Sequence, residues 1–243
     1  MRTGSSCLLV ALGLCLSTTP TKPDELTPSL SESEEILAAL EAAPAHLRDG
    51  AGVYVLEKFG YRHARESVNG FNCLVEREIA AAFAPKCFDS EGSATLLPVI
   101  LFRTEQRKRG VQRAHTEREV AARYARQAFL APRRIGICYM LSTRNLVVID
   151  RAMGKVWRVG PRLMFYAPNL RSADVGATPD LAARFTIADE ATQSAMIIVP
   201  VASERRTRTY YFSPDDLSPL ASAPRDTNRI RSAALANSFG ARF

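Results

Sequence analysis

The chain has 243 residues, of which 47% are hydrophobic and 23% charged, as in an ordinary globular protein with a sizeable core. Its net charge of +7 is not spread evenly, because residues 101–134 hold ten Arg or Lys and three Glu, and the remainder sums to about zero. A uniformly basic protein is therefore excluded, and the length allows one large domain or two small ones.

The N-terminal segment has the pattern of a secretory signal. A positively charged start is followed by the apolar run Cys7–Leu16 and a short Ser/Thr segment. The run is shorter than the stretch of about 20 residues that spans a bilayer. We therefore predict a signal peptide at 1–19 and an exported protein, either periplasmic or secreted. Lipid attachment at Cys15 is the less favoured alternative, because Leu14 stands where a lipoprotein signal has a small residue.

Three cysteines follow the predicted signal: Cys73, Cys87 and Cys138. Cysteines pair in oxidising compartments, and we favour Cys73–Cys87, which closes a loop of about 15 residues and contributes about 3 kcal/mol. Cys138 lies in an apolar strand pattern and is predicted to be a buried thiol. Three free thiols are the alternative. A metal site is disfavoured because the sequence has no Cys-x-x-Cys.

The first half of the chain predicts a helix followed by strands. Residues 20–31 have the composition of a linker, and a capping box before apolar residues at helical spacing predicts a helix over 32–43. Residues 52–79 contain Asn69-Gly70, a strong hairpin signal, and predict a three-stranded antiparallel meander. Cys87, which follows Ala84-Pro85-Lys86, is predicted to lie in a connecting segment that continues as a loop over 88–94.

The second half predicts a helical hairpin and then more strands. We predict helices over 99–109 and 116–129, the second capped by Thr116, and strands over 135–141, 146–150, 162–167 and 195–201. Residues 203–243 are rich in Arg, Pro and Ser and predict a disordered tail, with local docking of Tyr210-Tyr211-Phe212 as the alternative. The fold class is therefore α+β, a single domain over 32–202 with a mainly antiparallel sheet.

Common catalytic motifs are missing from the sequence. It has no Gly-x-Gly-x-x-Gly, Walker loop, Gly-x-Ser-x-Gly, His-Glu-x-x-His or Cys-x-x-Cys-His. We therefore predict no cofactor and no metal. An unfamiliar active site is not excluded by these absences.

Three residues are candidates for acid/base catalysis. His46 lies in a turn beside Asp49, and the pKa of a histidine lies near working pH. Glu76 shares a strand face with Glu78, so that two carboxylates could act together. Each candidate also has an explanation without catalysis. His46 can be a turn residue that forms local hydrogen bonds, and Glu76 can belong to a solvated strand end.

Aromatic residues in the predicted sheet are candidates for ligand binding. Tyr166 belongs to the compact aromatic strand end 164–169, and Tyr139 lies on a neighbouring predicted strand, so both could line a pocket. Asn69, at the predicted hairpin, is a third candidate. Core packing is the alternative for the two tyrosines.

The basic segment predicts an amphipathic surface helix. Glu119 and Arg123 have the favourable i,i+4 polarity, whereas Val120 and Tyr124 lie on the apolar face. Nucleic-acid binding is not expected, since aromatic residues are not interleaved with the basic ones. A weak contact with an anionic membrane surface is a remaining alternative.

Four segments resemble a family of uncharacterised exported bacterial proteins: His46–Ala51, Val53–Leu56, Asn69–Val75 and Leu163–Pro168. The resemblance covers residues 35–202 and implies no activity, cofactor or site.

We therefore expect an exported protein that binds a small ligand or an envelope protein partner. One alternative is an exported hydrolase that uses His46 with an acidic partner. Another is an envelope-associated protein acting through its basic helix.

Overall fold

The structure is a computed structural model that describes residues 30–77, 81–150, 155–178, 184–201 and 209–211. The predicted signal peptide and most of the predicted tail lie outside these ranges. The described helices are α1 (Glu32–Leu40), α2 (Ala45–Arg48), α3 (Ser90–Thr95), α4 (Leu97–Lys108) and α5 (Arg113–Ala125). The described strands are β1 (Gly52–Glu57), β2 (Gly60–Arg65), β3 (Asn72–Glu76), β4 (Ala81–Phe88), β5 (Ile137–Met140), β6 (Leu146–Asp150), β7 (Lys155–Arg158), β8 (Arg162–Tyr166), β9 (Thr186–Ala188), β10 (Met196–Pro200) and β11 (Thr209–Tyr211).

The strands form one mixed, mainly antiparallel sheet, which confirms the α+β fold class. Its main path runs β11-β7-β6-β4-β5-β8-β10-β9, and β3, β1 and β2 extend it from β4. Strand β7 begins at Lys155, the last residue of a predicted turn whose other two residues, Met153 and Gly154, lie outside the described ranges. Strand β11 pairs with β7 from within the predicted tail.

Strand β4 is where the sheet divides. Its first half pairs with β6, at Ala81 and Phe83, whereas its last residues pair with both β3 and β5. Pro85 lies between these two regions, fully buried and opposite Val75 of β3. A proline has no N–H to donate to a neighbouring strand, so it is suited to the position where one partner strand ends and another begins.

The predicted meander is wrong in its pairing. Strands β1 and β2 form an antiparallel hairpin through Lys58 and Phe59, but β3 pairs with β1 in parallel, from Gly52 opposite Asn72. Asn69-Gly70 therefore belongs to a crossover and not to a hairpin. Gly70 has φ +82°, which accommodates the change of direction without strain.

The predicted Cys73–Cys87 disulfide is confirmed, but not in the expected setting. The two cysteines lie directly opposite each other on β3 and β4, so Cys87 belongs to a strand and not to a connecting segment. Both are fully buried. Cys138 is a buried free cysteine, as expected.

Loss of the disulfide is expected to destabilise the fold. Replacing both Cys73 and Cys87 with Ser should lower the free energy of unfolding by about 3 kcal/mol, because the unfolded chain gains the freedom of a 14-residue separation. Urea denaturation measures the difference. Reductant should lower the stability of the wild-type protein towards that of the variant, which also buries two serine hydroxyls, and leave the variant unchanged. Equal stability of both proteins without reductant would contradict the prediction.

The sheet is covered on both faces. Helix α1 covers one face, where Val53, Val55 and Val75 are buried with Ala38 and Ala39. Helices α3 and α4 cover the other face, over a cluster that includes Leu74, Phe88, Met140, Met164 and Tyr166.

The helices begin or end near, but not at, their predicted limits. Asp89 caps α3 by accepting a hydrogen bond from the Gly92 N–H at 2.9 Å, so part of the predicted loop 88–94 is helical. Helix α5 begins at Arg113 after Gln112, and Thr116 is inside it and not at its cap. Gln127, with φ +59°, interrupts the predicted continuation to 129.

Glu35 joins α1 to the sheet as a buried carboxylate that is only 3% exposed. One oxygen accepts a hydrogen bond from the Leu56 N–H at 3.0 Å, and the other lies 3.2 Å from Arg77 Nη2. Burial raises the pKa of Glu35 above its ordinary value, and the charge of Arg77 opposes this only in part.

Stability should therefore fall as Glu35 ionises. The folded chain binds the Glu35 proton more tightly than the unfolded chain does. The free energy of unfolding is therefore expected to fall as pH rises from the ordinary pKa of 4.5 through the raised pKa. Glu35→Gln keeps an acceptor for Leu56 and does not ionise. The free energy of unfolding of the wild type, relative to that of the variant, should decrease over this pH range in urea titrations. A difference that is constant with pH would contradict the prediction.

Candidate functional site

A cavity of about 740 Å³ lies between the sheet and helices α4 and α5. This volume is within the range of about 300–1,000 Å³ that small-molecule sites occupy. Apolar side chains from both layers make most of its wall: Ala84, Leu96, Val99, Ile100, Met140, Val147, Val159, Met164, Met196 and Ile198.

The cavity lies where the sheet divides. Met140 is on β5 and Val147 is on β6, the two strands that pair with different parts of β4, and Ala84 is on β4 itself. The cavity therefore spans the point where β4 changes its partner strand.

An ion pair lies in the sheet side of the cavity wall. Glu76 of β3 and Lys86 of β4 form it, and their side chains are only 9% and 13% exposed. Alternation along β3 directs Glu76 to the same face as Leu74, opposite Cys73 and Val75. Since a buried carboxylate is costly unless it is paired, Lys86 accounts for the burial of Glu76.

Arg103 of α4 connects three parts of the cavity wall. Its guanidinium lies 2.8 Å from the Glu117 carboxylate of α5 and 3.3 Å from that of Asp189, in the loop between β9 and β10. Ser194 in the same loop lies 2.9 Å from the hydroxyl of Tyr124 on α5. These contacts hold the β9–β10 loop against α5.

The backbone of the β9–β10 loop is held in an unfavourable conformation. Asp189 has φ +49° and Ala191 has φ +59°, a region that Gly, Asn and Asp tolerate but that is costly for Ala. The pairing of Asp189 with Arg103 is one interaction that offsets this cost.

Arg107 lies one helical turn beyond Arg103 and also lines the cavity. Its Nε and Nη2 atoms are shielded from solvent and have no hydrogen-bond partner within the described residues. Sequence reasoning missed both arginines. The signal was their spacing, because residues 96, 99, 103 and 107 lie on one face of a helix and continue an apolar stripe.

The three predicted catalytic residues are in different settings. His46 and Asp49 are exposed in and after α2, whereas Glu76 is buried at the cavity in an ion pair. No hydrogen bond or ion pair within the described chain joins any two of them. Glu78, its predicted companion, lies outside the described residues. The structure thus places only Glu76 at the cavity, and the catalytic roles stay predictions.

Tyr166 is buried beside the cavity and its hydroxyl is occupied within the protein. The hydroxyl oxygen lies 3.0 Å from an Asp89 carboxylate oxygen and 2.8 Å from the Ile137 carbonyl. Burial is the main cause that raises its pKa, so the hydroxyl stays protonated as a donor. A Cβ on Gly92 would lie 2.6 Å from Tyr166 Cζ, so the ring requires a glycine there. These contacts are structural.

Tyr139 and Asn69 lie away from the cavity. Tyr139 packs in the cluster beneath α1, with its ring centroid 6.2 Å from that of Phe71. The Asn69 amide donates to the Leu47 carbonyl at 2.8 Å, and its carbonyl accepts from the Phe71 N–H at 3.0 Å. The strand neighbours of the predicted tyrosines, Met140 and Met164, line the cavity instead.

The basic helix α5 is partly neutralised by its own contacts. Glu119 lies 3.1 Å from Arg123 and 2.6 Å from Arg126. The Arg123 guanidinium also lies 4.0 Å from the ring centroid of Phe102. Helix α5 therefore presents fewer unpaired positive charges to solvent than its number of arginines indicates.

The described residues hold neither a cluster of metal ligands nor a membrane-spanning helix. No three His, Cys, Asp or Glu side chains in this part of the chain cluster as metal ligands would. None of its helices has the length and apolar character needed to cross a bilayer.

Comparison with known proteins gives no match to this chain among family models, curated proteins or solved structures. The resemblance to a family of exported bacterial proteins therefore stays a prediction.

Loss of Arg103 is expected to loosen the β9–β10 loop. Arg103→Gln removes its pairing with Glu117 and Asp189, at a cost of about 1 kcal/mol or more, so amide exchange over 186–195 should accelerate at least about fivefold. Hydrogen exchange with mass spectrometry measures it. The matched control is Arg126→Gln, which breaks an exposed pair with Glu119 and should leave this segment unchanged. Equal effects of both variants would contradict the prediction.

Proposed function

We propose that this chain is an exported, non-catalytic protein that binds a small, largely apolar ligand in the cavity between α4 and the divided sheet. The observation that carries the proposal is the cavity itself, a space of about 740 Å³ with mainly apolar walls inside a folded domain. A ligand that fills it removes both its own apolar surface and that of the wall from water.

The arrangement of polar groups favours binding over catalysis. The acidic side chains of the cavity wall are paired with cations, Glu76 with Lys86 and the other two with Arg103. The hydroxyls of Thr192 and Ser194 are engaged with neighbouring atoms. Among the described residues, no histidine or cysteine lines the cavity, and none of the lining groups is arranged as a nucleophile with a base.

The disulfide supports export. A buried bridge between neighbouring strands is typical of proteins that fold in oxidising compartments. Together with the signal pattern at 1–19, it favours the periplasm or the cell exterior. We also propose that the chain belongs to the family of exported bacterial proteins that it resembles. Its ligand is then a compound that the cell meets outside its cytoplasm.

Binding should strengthen with the length of an aliphatic ligand. For 1-octanol, 1-decanol and 1-dodecanol, each added methylene that is buried contributes about 0.8 kcal/mol, or about fourfold in Kd, until the cavity is filled. Calorimetry, or displacement of a bound fluorescent probe, gives the series.

A narrowed cavity should weaken the same ligands. Ala188 of β9 lines the cavity, so Ala188→Phe should raise Kd for 1-decanol by about tenfold or more. Ile187 is its neighbour on the opposite face of the strand, and Ile187→Phe is the matched control that should bind as the wild type does. The proposal is overturned if the wild type binds none of the alcohols, or if both variants bind alike.

A further inference from the structure

We infer that two copies of this chain pair through an apolar face of the sheet that the described helices leave uncovered. Six side chains of β5, β8, β9 and β10 form this surface, which we call the open face: Ile137, Leu163, Phe165, Ile187, Ile197 and Val199. The cavity is on the other side of the sheet, so the pairing is independent of the proposed binding function.

The pairing register places the six side chains in two rows. The first row crosses four adjacent strands: Ile137, Phe165, Ile197 and Ile187. In the second row, Leu163 lies opposite Val199. Side chains alternate between the two faces of a strand, and Met164 and Ile198, which alternate with these residues, line the cavity. The open face is therefore directed away from the cavity.

Helix α1 covers only the other half of this side of the sheet. Tyr139, two residues after Ile137, packs in the cluster beneath α1, so the helix and the open face share one side. The helix packs against β1, β3 and β4, where Val53, Val55 and Val75 are at most 4% exposed. The six side chains of the open face are partly exposed, and none of them belongs to a buried cluster of the described residues.

The open face continues beyond its strands at two places. Ile135 precedes β5 and is 84% exposed, and Val201 follows β10 and is 46% exposed. Backbone hydrogen bonds continue the ladder there, from the Tyr166 N–H to the Gly136 carbonyl at 3.4 Å and from the Val201 N–H to the Pro161 carbonyl at 3.1 Å. Both side chains therefore extend the same apolar surface.

The size of the open face suits the centre of a reversible dimer. Four strands about 4.8 Å apart and five residues of about 3.3 Å each give it about 300 Å² in each copy. Apolar patches of this size often mark an interaction site. A standard interface buries about 800 Å² per partner, with an apolar centre and a polar rim, whereas obligate dimers bury larger apolar areas.

The distribution of charge favours a second copy as the partner. None of the six side chains is charged, and Arg134, beside Ile135, pairs with Glu91 at 3.0 Å. The basic segment 101–134 forms α4 and α5, and α4 covers the opposite face of the sheet with α5 packed on it. Two copies that pair through their open faces therefore keep their basic helices on the outside, where like charges are far apart.

The same features disfavour other partners. Anionic lipid headgroups attract cations, which this chain concentrates on the other side of its sheet. An acidic or basic protein would find no opposite charge among the six side chains. A second open face is flat and apolar in the same way, a two-fold axis brings the two together, and sheets pack face to face about 10 Å apart. Helix α1, about 10 Å in diameter, then lies beside the contact and limits it to the uncovered strands.

Sedimentation equilibrium of the protein, as its own cell processes it, tests the pairing. Over a range from about 1 µM to about 200 µM, the mass should rise from that of one chain to that of two, as expected for a reversible dimer. The dimer Kd should not increase in about 1 M NaCl, because salt screens charged contacts and not apolar ones.

Ile135→Lys should raise the dimer Kd at least about tenfold, because a two-fold axis buries the new charge twice. Its side chain is 84% exposed in the single copy, so the domain should fold as before. The matched control is Phe59→Lys, which changes a side chain that is 62% exposed beside β2, at the opposite edge of the sheet from β9, and should leave the Kd unchanged. Ile197→Lys, at the centre of the open face, should give a larger effect than Ile135→Lys.

A measurement on the wild type alone makes the test independent of how the variants fold. In hydroxyl-radical footprinting, oxidation of Phe165 and Leu163 should fall at least about twofold from the monomer to the dimer, because contact excludes water from their side chains. Phe59 and Trp157 are exposed elsewhere, and their oxidation should not change.

Four outcomes would overturn the pairing. The first is a wild-type protein that keeps the mass of one chain at every concentration, including one that stays monomeric and instead binds lipid vesicles through Phe165. The second is a dimer that dissociates in high salt, and the third is an equal effect of Ile135→Lys and Phe59→Lys. The fourth is protection of Phe59 or Trp157 without protection of Phe165. None of them bears on ligand binding in the cavity.

Discussion

The division of the sheet at β4 is the constraint on which the cavity and its surroundings depend. Pro85 lies in the longest strand, fully buried, at the point where pairing with β6 stops and pairing with β5 has not begun. A residue with an N–H at this position would need an acceptor, whereas proline needs none. The two parts of the sheet can therefore separate without leaving a buried donor unsatisfied.

The two faces of the sheet use charge in different ways. Beneath α1, the Glu35 carboxylate accepts a hydrogen bond from the Leu56 N–H and pairs with Arg77, and the surrounding buried cluster consists mainly of Ala and Val side chains. Beneath α4, pairing of Glu76 with Lys86 and of Arg103 with two acids still leaves the donors of Arg107 unused. Within the described residues, each face thus keeps buried guanidinium nitrogens without a hydrogen-bond partner, Nε of Arg77 beneath α1 and Nε and Nη2 of Arg107 beneath α4.

Local signals in the sequence predicted local structure well. Ser31 and Glu34 form the expected capping box at the start of α1, and β6 occupies the predicted stretch Leu146–Asp150. The disulfide also followed from local reasoning, because its two cysteines are close in the chain and are brought together by adjacent strands. In each case the deciding interactions lie within about fifteen residues.

Features that depend on distant partners could not be predicted in the same way. Asn69-Gly70 is favourable for a hairpin, but the parallel pairing of β3 with β1 overrides it. In the sequence, Pro85 argues against a central strand. It fits here because β4 changes its partner from β6 to β5 at this position, and those strands come more than fifty residues later. From the sequence, Arg103 and Arg107 belong to a solvated basic segment. The pairing of Arg103 with Asp189, and the burial of Nε and Nη2 of Arg107, are set by the tertiary fold.

The separation of the cavity walls along the chain has a consequence for the order of folding. The Cys73–Cys87 bridge closes a separation of 14 residues and needs only β3 and β4, so this part of the sheet can form early. The cavity, in contrast, needs Glu76, α4, β8 and β10 together, and therefore chain up to Ile198. Contacts of such long range are closed last, at the highest entropic cost. Once the chain folds under oxidising conditions, the covalently secured strand pair thus precedes the completed cavity.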